Sequence, residues 1–195
     1  MSQNKFRYFI FNKPYGVLSQ FTDRGGRKTL KDFFNFPGDV YPVGRLDMDS
    51  EGLLLLTNDK SLTDFMLNPV NKHEREYLVQ VEGEPAPADL RLLSKGLFIE
   101  GIKTLDAKAV KIKEPDLWER IPPIRERKNI PVSWLKVTLI EGRNRQIRKM
   151  TAKIGYPTLR LIRIRIKNIL LDNLIPGKTR ELLNTEVEKL KLSES

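Results

Sequence analysis

A chain of 195 residues, 39% hydrophobic and 31% charged, is long enough to bury a core without staples. It has no cysteine and one histidine, His73, which excludes disulfides, thiolate nucleophiles and thiolate or multi-histidine metal sites; catalysis is left to Asp, Glu, Lys, Arg, Tyr, Ser or Thr, or to a hard cation on carboxylates. The formal net charge of +10 points to a polyanionic partner, and no apolar run approaches the ~20 residues of a membrane span, so no membrane partner is expected.

The opening MSQNKFRYFIFNKP carries no long apolar signal core, and a cytoplasmic location is expected. RYFIFNKPYGVLSQF (7–21) reads as a strand broken at Pro14 and Gly16, followed by a Gly-Gly turn and a short amphipathic helix. YPVGRLDMDSEGLLLLTND (41–59) puts Arg45, Asp47, Asp49 and Glu51 directly before Leu53–Leu56, a run too short for a helix and bounded by turn residues, hence a strand covered on both faces. Such a strand is a rigid rail, and the loop ahead of it is a place for chemistry; the acids read equally well as turn and cap residues.

SLTDFMLNP predicts a short helix capped by Ser61 or Thr63 and stopped at Pro69, with His73 in a surface turn beyond it. REYLVQVEG (75–83) alternates as a strand, with Tyr77, Val79 and Val81 on one side, and PADLRLLSKG is a helix ending at Gly96. A β-like stretch then leads to the proline-rich segment 118–134, in which Arg120, Arg125, Arg127 and Lys128 lie between Trp118 and Trp134. It suits either a grip on single-stranded RNA or a cover for a sheet edge.

SWLKVTLIEG is a strand, and RNRQIRKMTAKIG a helix with Ile147, Met150 and Ile154 as its apolar stripe. LRLIRIRIKNILLDN reads as a strand with one dry and one cationic face, and a charged helix over roughly 178–192 closes the chain. The elements predict an α+β protein with a mixed, largely antiparallel sheet and flanking helices.

From Glu141 to Lys167 nine basic side chains face one acid, so most of the excess charge sits in one segment. EGRNRQIRKM starts a helix just after a strand, where amides and arginines suit phosphate; Arg160, Arg163 and Arg165 add to that field, unless the arginines merely solvate a surface. Tyr77 alone reads as a core or rim aromatic. Asp47, Asp49 and Asp59 offer carboxylates for magnesium, as in a nuclease, although only Asp47 and Asp49 would share a strand face. The phosphate loops of nucleotide-driven and dinucleotide enzymes are missing.

GRLDMDSEGLLLLTND, REYLVQVEG, and EGRNRQIRKM followed by TLRLIRI resemble, in this order, the motifs of the ribosomal RNA pseudouridine synthases of the small-subunit synthase A group. FNKPYGVLSQFTD and PPIRERKNIPVSWLK look most like that family's large-subunit synthase E branch. The resemblance implies the pseudouridine synthase fold: a single catalytic domain over 1–195 with two closely packed lobes, about 1–70 and about 71–195, and no separate N-terminal RNA-binding module. It implies isomerisation of a uridine in large-subunit (23S) ribosomal RNA, naked or in an assembling particle, by a monomer that needs no metal, nicotinamide or ATP. A non-catalytic RNA-binding or ribosome-assembly protein is the alternative.

By the same resemblance Asp47 is the catalytic carboxylate, Tyr77 stacks on the uracil, and Arg148 pairs with Asp47. The carboxylate acts either as nucleophile on the anomeric carbon or as base on the neighbouring ribose carbon, the second being preferred. Leu159, Arg143, Arg145, Arg160 and Arg163 are expected at the substrate. Arg45 is expected to prop the gap left by a uridine swung out of its stack. Met48 departs from the family, where this position is often basic.

Overall fold

The computed structural model describes residues 6–124 and 129–192. The chain divides into two compact units, one running up to His73 and resuming at Arg163, the other spanning Glu74–Ile162. Residues 163–192 therefore do not join the second lobe, as a division near residue 70 would have them do; they return to the first. Pairing explains the return, since the late strand β11 (Thr179–Glu181) lies antiparallel to β1 (Tyr8–Lys13), with Phe9 opposite Glu181 and Phe11 opposite Thr179.

In the first unit β1 also pairs antiparallel with β3 (Glu51–Thr57), to which the short β2 (Tyr41–Pro42) adds. The register sets Phe9 opposite Leu56, Phe11 opposite Leu54 and Lys13 opposite Gly52. One face of these strands packs Phe9, Phe11, Leu54 and Leu56 against Val17, Leu30, Phe36 and Val40. All seven residues of β3 are buried, as expected for a strand covered on both faces, and each buried leucine contributes roughly 2 kcal/mol.

Helix α1 (Lys60–Leu67) follows β3. Its cap is Asp59, whose carboxylate accepts from the Leu62 amide at 3.1 Å, rather than Ser61 or Thr63; both of those lie inside the helix. His73 is buried, not superficial: its ring lies 4.6 Å from that of Phe65, and Nε2 is 3.2 Å from the Phe65 carbonyl.

The second unit contains β4 (Arg75–Glu82), α2 (Pro87–Ser94), the hairpin of β5 (Phe98–Ile99) and β6 (Ile102–Lys103), β7 (Lys108–Ile112), β8 (Val132–Leu139) and α3 (Gln146–Lys153). Strand β8 lies between β4 and β7, antiparallel to both. Tyr77, Val79 and Val81 of β4 and Leu135, Val137 and Leu139 of β8 form one face, covered by Leu93 of α2 and by Ile147 and Met150 of α3. The expected one-sided pattern of β4 and the apolar stripe of α3 are thus both realised.

Strand β9 (Thr158–Ile166) starts in this unit and finishes in the first, where β10 (Ile169–Leu170) and α4 (Asn184–Lys191) follow. Its two faces are not dry and cationic: Arg160 shares a face with Ile162 and Ile164, whereas Arg163 and Arg165 share the other with Leu159 and Leu161. The segment 113–124 has no regular element, as its prolines require; Arg125, Arg127 and Lys128 lie outside the described residues.

Candidate active site

In the first unit, the loop ahead of β3 is tied down residue by residue. Val43 donates its amide to the Leu55 carbonyl at 2.7 Å, which seats the loop on the buried strand. Leu46 is buried and doubly bonded to one side chain, donating to Ser19 Oγ at 3.0 Å and accepting from it at 2.7 Å. Asp47 comes next, half-buried, and its carbonyl accepts from the Ser50 amide at 3.0 Å, closing a turn over Met48 and Asp49. Arg45 is exposed on the entry side.

That turn is braced from β1 and the loop behind it. The Gly16 amide donates to the Met48 carbonyl at 2.8 Å. Lys13, with no exposed surface, directs its ammonium at the carbonyls of Val17 (2.7 Å), Pro14 (2.9 Å) and Met48 (3.5 Å). Burial pushes this ammonium down to about 7, against the pull of Glu51, Asp49 and Asp47 and with Arg163 acting in the same direction as burial. Glu51 is itself buried. Arg163, also buried, donates through Nε to the Leu53 carbonyl at 2.8 Å, while its Nη2 meets no partner among the described residues.

Lys13 was not among the residues that sequence reasoning singled out. The only signal is a lysine ending the apolar run YFIFN before Pro14, where alternation alone places it at a strand end.

Asp59 is committed elsewhere. Besides capping α1 it accepts from Tyr8 Oη at 2.7 Å and pairs with Lys191 Nζ at 2.8 Å. Burial acts to raise its carboxyl, but the Lys191 ammonium, the Leu62 amide and the Tyr8 hydroxyl outweigh it and hold the group below the ordinary carboxylate value. It does not join Asp47 and Asp49 as a cation ligand, and among the described residues no three acids or histidines are grouped to hold one.

In the second unit Tyr77 is buried opposite Val137, within the cluster that includes Ile147 and Met150. Arg148 is half-buried on α3, its Nη1 3.4 Å from the Thr158 carbonyl, and the hydroxyls of Thr151 and Thr158 bond at 2.7 Å beside it. The start of α3 is organised by Gln146, which accepts from the Arg143 amide at 3.1 Å and donates to Glu141. Arg145 precedes the helix in the left-handed region, at φ 52°, and is exposed.

The guanidinium of Arg143 reaches the carbonyls of Ile99 (3.2 Å), Ile102 (3.3 Å) and Lys103 (3.4 Å), tying the β5–β6 hairpin to the start of α3. Arg160 is buried, donating to the Trp118 carbonyl at 3.0 Å with its charge 5.5 Å from that ring. Arg160 thereby pins the irregular segment to β9. Leu159 is half-buried on the same strand.

The family model described as RNA pseudouridylate synthase matches residues 7–153. The chain belongs to the RNA pseudouridylate synthase family. It is 52% identical over 180 residues to ribosomal large subunit pseudouridine synthase E of Vibrio parahaemolyticus, covering 92% of this chain and 75% of that one. Against the protein of the same name from Xanthomonas campestris the identity is 48% over 174 residues, covering 88% and 92%. A crystal structure of a pseudouridylate synthase superimposes with a TM-score of 0.80 at 28% identity, covering 97% of this chain and 76% of that one. This pseudouridylate synthase therefore has the family and the α+β fold that its motifs imply, and it is an isomerase of uridine in RNA.

Proposed function

We propose that the chain converts a uridine of large-subunit (23S) ribosomal RNA to pseudouridine, with Asp47 as the carboxylate that breaks the glycosidic bond. The observation that carries the reading is the Asp47 turn, which ties the backbone of a half-buried aspartate into the loop just ahead of a wholly buried strand, in a chain about half identical to large-subunit synthases. Preorganisation of this kind lets a charged group act without first being reoriented.

The chemistry is an isomerisation. The carbon–nitrogen bond between ribose and base breaks, the base turns, and a carbon–carbon bond forms; the proton displaced from that ring carbon ends on the freed nitrogen. No atom or electron is gained or lost, so the reaction calls for no metal, nicotinamide or ATP. Asp47 acts preferentially as the base that takes a proton from the ribose carbon next to the anomeric one as the carbon–nitrogen bond breaks and returns it to that carbon when the carbon–carbon bond forms. Tyr77 presents its ring to the uracil, and Arg148 is the positively charged member of the catalytic set. Extruding the uridine costs a few kcal/mol, offset by phosphate contacts from Arg45, Arg143 and Arg145 and by packing of Leu159, while Arg160 and Arg163, expected at the substrate, are buried and contribute positive charge instead of direct phosphate contacts.

Purified protein incubated with ribosomal RNA in EDTA and without cofactor is expected to yield a carbon-linked uridine that chemical sequencing places in 23S RNA. Running naked RNA beside assembling particles identifies the preferred substrate, and sedimentation tests the expected monomer. RNA binding without product would favour a non-catalytic assembly protein, and cleavage that EDTA stops would favour a nuclease.

A further inference from the structure

Three exposed apolar side chains of the first unit gather at the edge of the Asp47 loop, where the proposed chemistry gives them no part. Met48 is 42% exposed, Leu67 47% and Ile175 65%. Single apolar residues on a surface are ordinary, whereas several around one loop mark a place of contact.

Each is fastened there by contacts of its own. Met48 lies in the turn itself, where the Gly16 amide holds its carbonyl at 2.8 Å, so the side chain is exposed on a fixed backbone. Leu67, at the end of α1, covers Gly44: a Cβ on that glycine would lie 3.1 Å from Leu67 Cδ2. Ile175 accepts from the Lys178 amide at 3.0 Å, which closes a turn. Asn12 clamps that turn to β1, its carbonyl accepting from the Gly177 amide at 2.8 Å and its Nδ2 donating to the Leu174 carbonyl at 2.7 Å. At the same end of β1 a Cβ on Gly177 would stand 3.9 Å from Pro14 Cγ, just ahead of Gly16. Arg45, exposed between Gly44 and Met48 in the chain, adds a cation to this rim.

A uridine that leaves its stack uncovers one face on each of its two neighbours. Proteins that open a stack cover such faces with apolar side chains, methionine, leucine and isoleucine among them. An apolar rim with a cation in it suits nucleotides, whose base faces are apolar and whose backbone is anionic. Three side chains are too few for a stable protein interface, which buries about 800 Å² on each partner. We propose that Met48, Leu67 and Ile175 form an apolar rim that packs on the bases flanking the extruded uridine and replaces the stacking lost when that uridine enters the site. The inference rests on the reading of Asp47 as the catalytic carboxylate.

Apolar packing and phosphate contact differ in their response to salt. Loss of an apolar contact weakens binding by a similar factor at every salt concentration, whereas loss of a cation costs less as salt rises.

The test measures kcat and KM for pseudouridine formation on ribosomal RNA at about 0.05 M and about 0.3 M salt, with thermal unfolding alongside. Met48→Gln and Leu67→Gln, which put an amide on the rim, are each expected to raise KM about 3- to 10-fold at both salts, with kcat within about 2-fold and Tm unchanged. Ile175→Gln is expected to raise it about 2- to 5-fold. Met48→Leu is expected to keep the wild-type KM, and Arg45→Gln to raise KM by a factor that shrinks between the two salts. Leu183→Gln changes an exposed leucine whose neighbour Leu182 bonds to Tyr8 at the far end of β1, and is expected to leave KM alone.

Wild-type KM in Met48→Gln or in Leu67→Gln overturns the inference, and so does a deficit that fades with salt as that of Arg45→Gln does. A fall in kcat at unchanged KM overturns it as well, since it marks a disturbed turn and not a lost contact. No product from the wild type, or an unimpaired Asp47→Asn, sinks the reading of Asp47 and not merely that of the rim.

Discussion

The Asp47 turn and the basic run from Arg143 to Arg160 are both dense in charge, yet they use it in different ways. Around the turn, cations and anions face each other: Lys13 feels Glu51, Asp49 and Asp47 on one side and Arg163 on the other, behind a strand with every residue buried. In the basic run the guanidiniums of Arg143, Arg148 and Arg160 reach backbone carbonyls of Ile99, Ile102, Lys103, Thr158 and Trp118. A guanidinium carries its five N–H donors in a rigid fork, so the carbonyls it holds fix where its charge is aimed. Counting basic residues therefore measures the field of a segment; the carbonyls they hold decide its shape.

The sharpest way to test this contrast is a matched pair of glycine substitutions. Gly52 has φ +101°, and a Cβ there would collide with the carbonyl of Arg163 and come within 2.8 Å of its amide nitrogen. Gly52→Ala is expected to cost at least about 3 kcal/mol or to abolish the cooperative transition in denaturant. Gly142, beside the basic helix, has open space where a Cβ would go, and Gly142→Ala is expected to stay within about 0.5 kcal/mol. Equal effects would break the distinction between a rigid rail and an adaptable basic edge.

Next come the two buried arginines of β9. Arg163→Met removes the donor to the Leu53 carbonyl and one of the charges that balance the turn, and is expected to cost about 2 to 3 kcal/mol in denaturant unfolding. Arg160→Met loses one bond to the irregular segment and the contact with Trp118, and is expected to cost about 1 kcal/mol. Its clearer signature is faster proteolysis between β7 and β8.

The smallest effect concerns Asp59. Its carboxyl is held below the ordinary value, so the stability it contributes is present above about 3.8 and is lost as pH falls through the folded value. Asp59→Asn is expected to cost about 1 kcal/mol at neutral pH, since asparagine still caps α1, and to flatten the acid limb of an unfolding series. An unchanged acid limb would show that the Lys191 and Tyr8 contacts contribute nothing to stability.

Local patterns were legible where one element's own residues decide its fate. Leu53–Leu56 between turn residues could only be a strand buried on both faces, and Ile147 and Met150 recur at the spacing of one helical face. Lys13 was not legible, because its burial depends on carbonyls delivered by Val17 and by Met48, and no periodicity encodes that meeting. The arginines of β9 were misread for a countable reason: Arg160 and Arg163 are an odd number of residues apart and must lie on opposite faces of a strand. Asp59 displaced Ser61 as the cap because a carboxylate one residue before the helix reaches the Leu62 amide, whereas a hydroxyl within it does not. Of the candidate site, the motifs singled out Asp47, Tyr77 and Arg148 for the roles proposed above, whereas the scaffolding around Asp47 required coordinates.

The most direct measurement compares Asp47→Asn with the wild type for both pseudouridine formation and affinity for ribosomal RNA at one salt concentration. Loss of product by at least about 1000-fold, with the dissociation constant unchanged within about 2-fold, is the result expected of a carboxylate that acts on the ribose and does not hold the RNA. Product at the wild-type rate would contradict it.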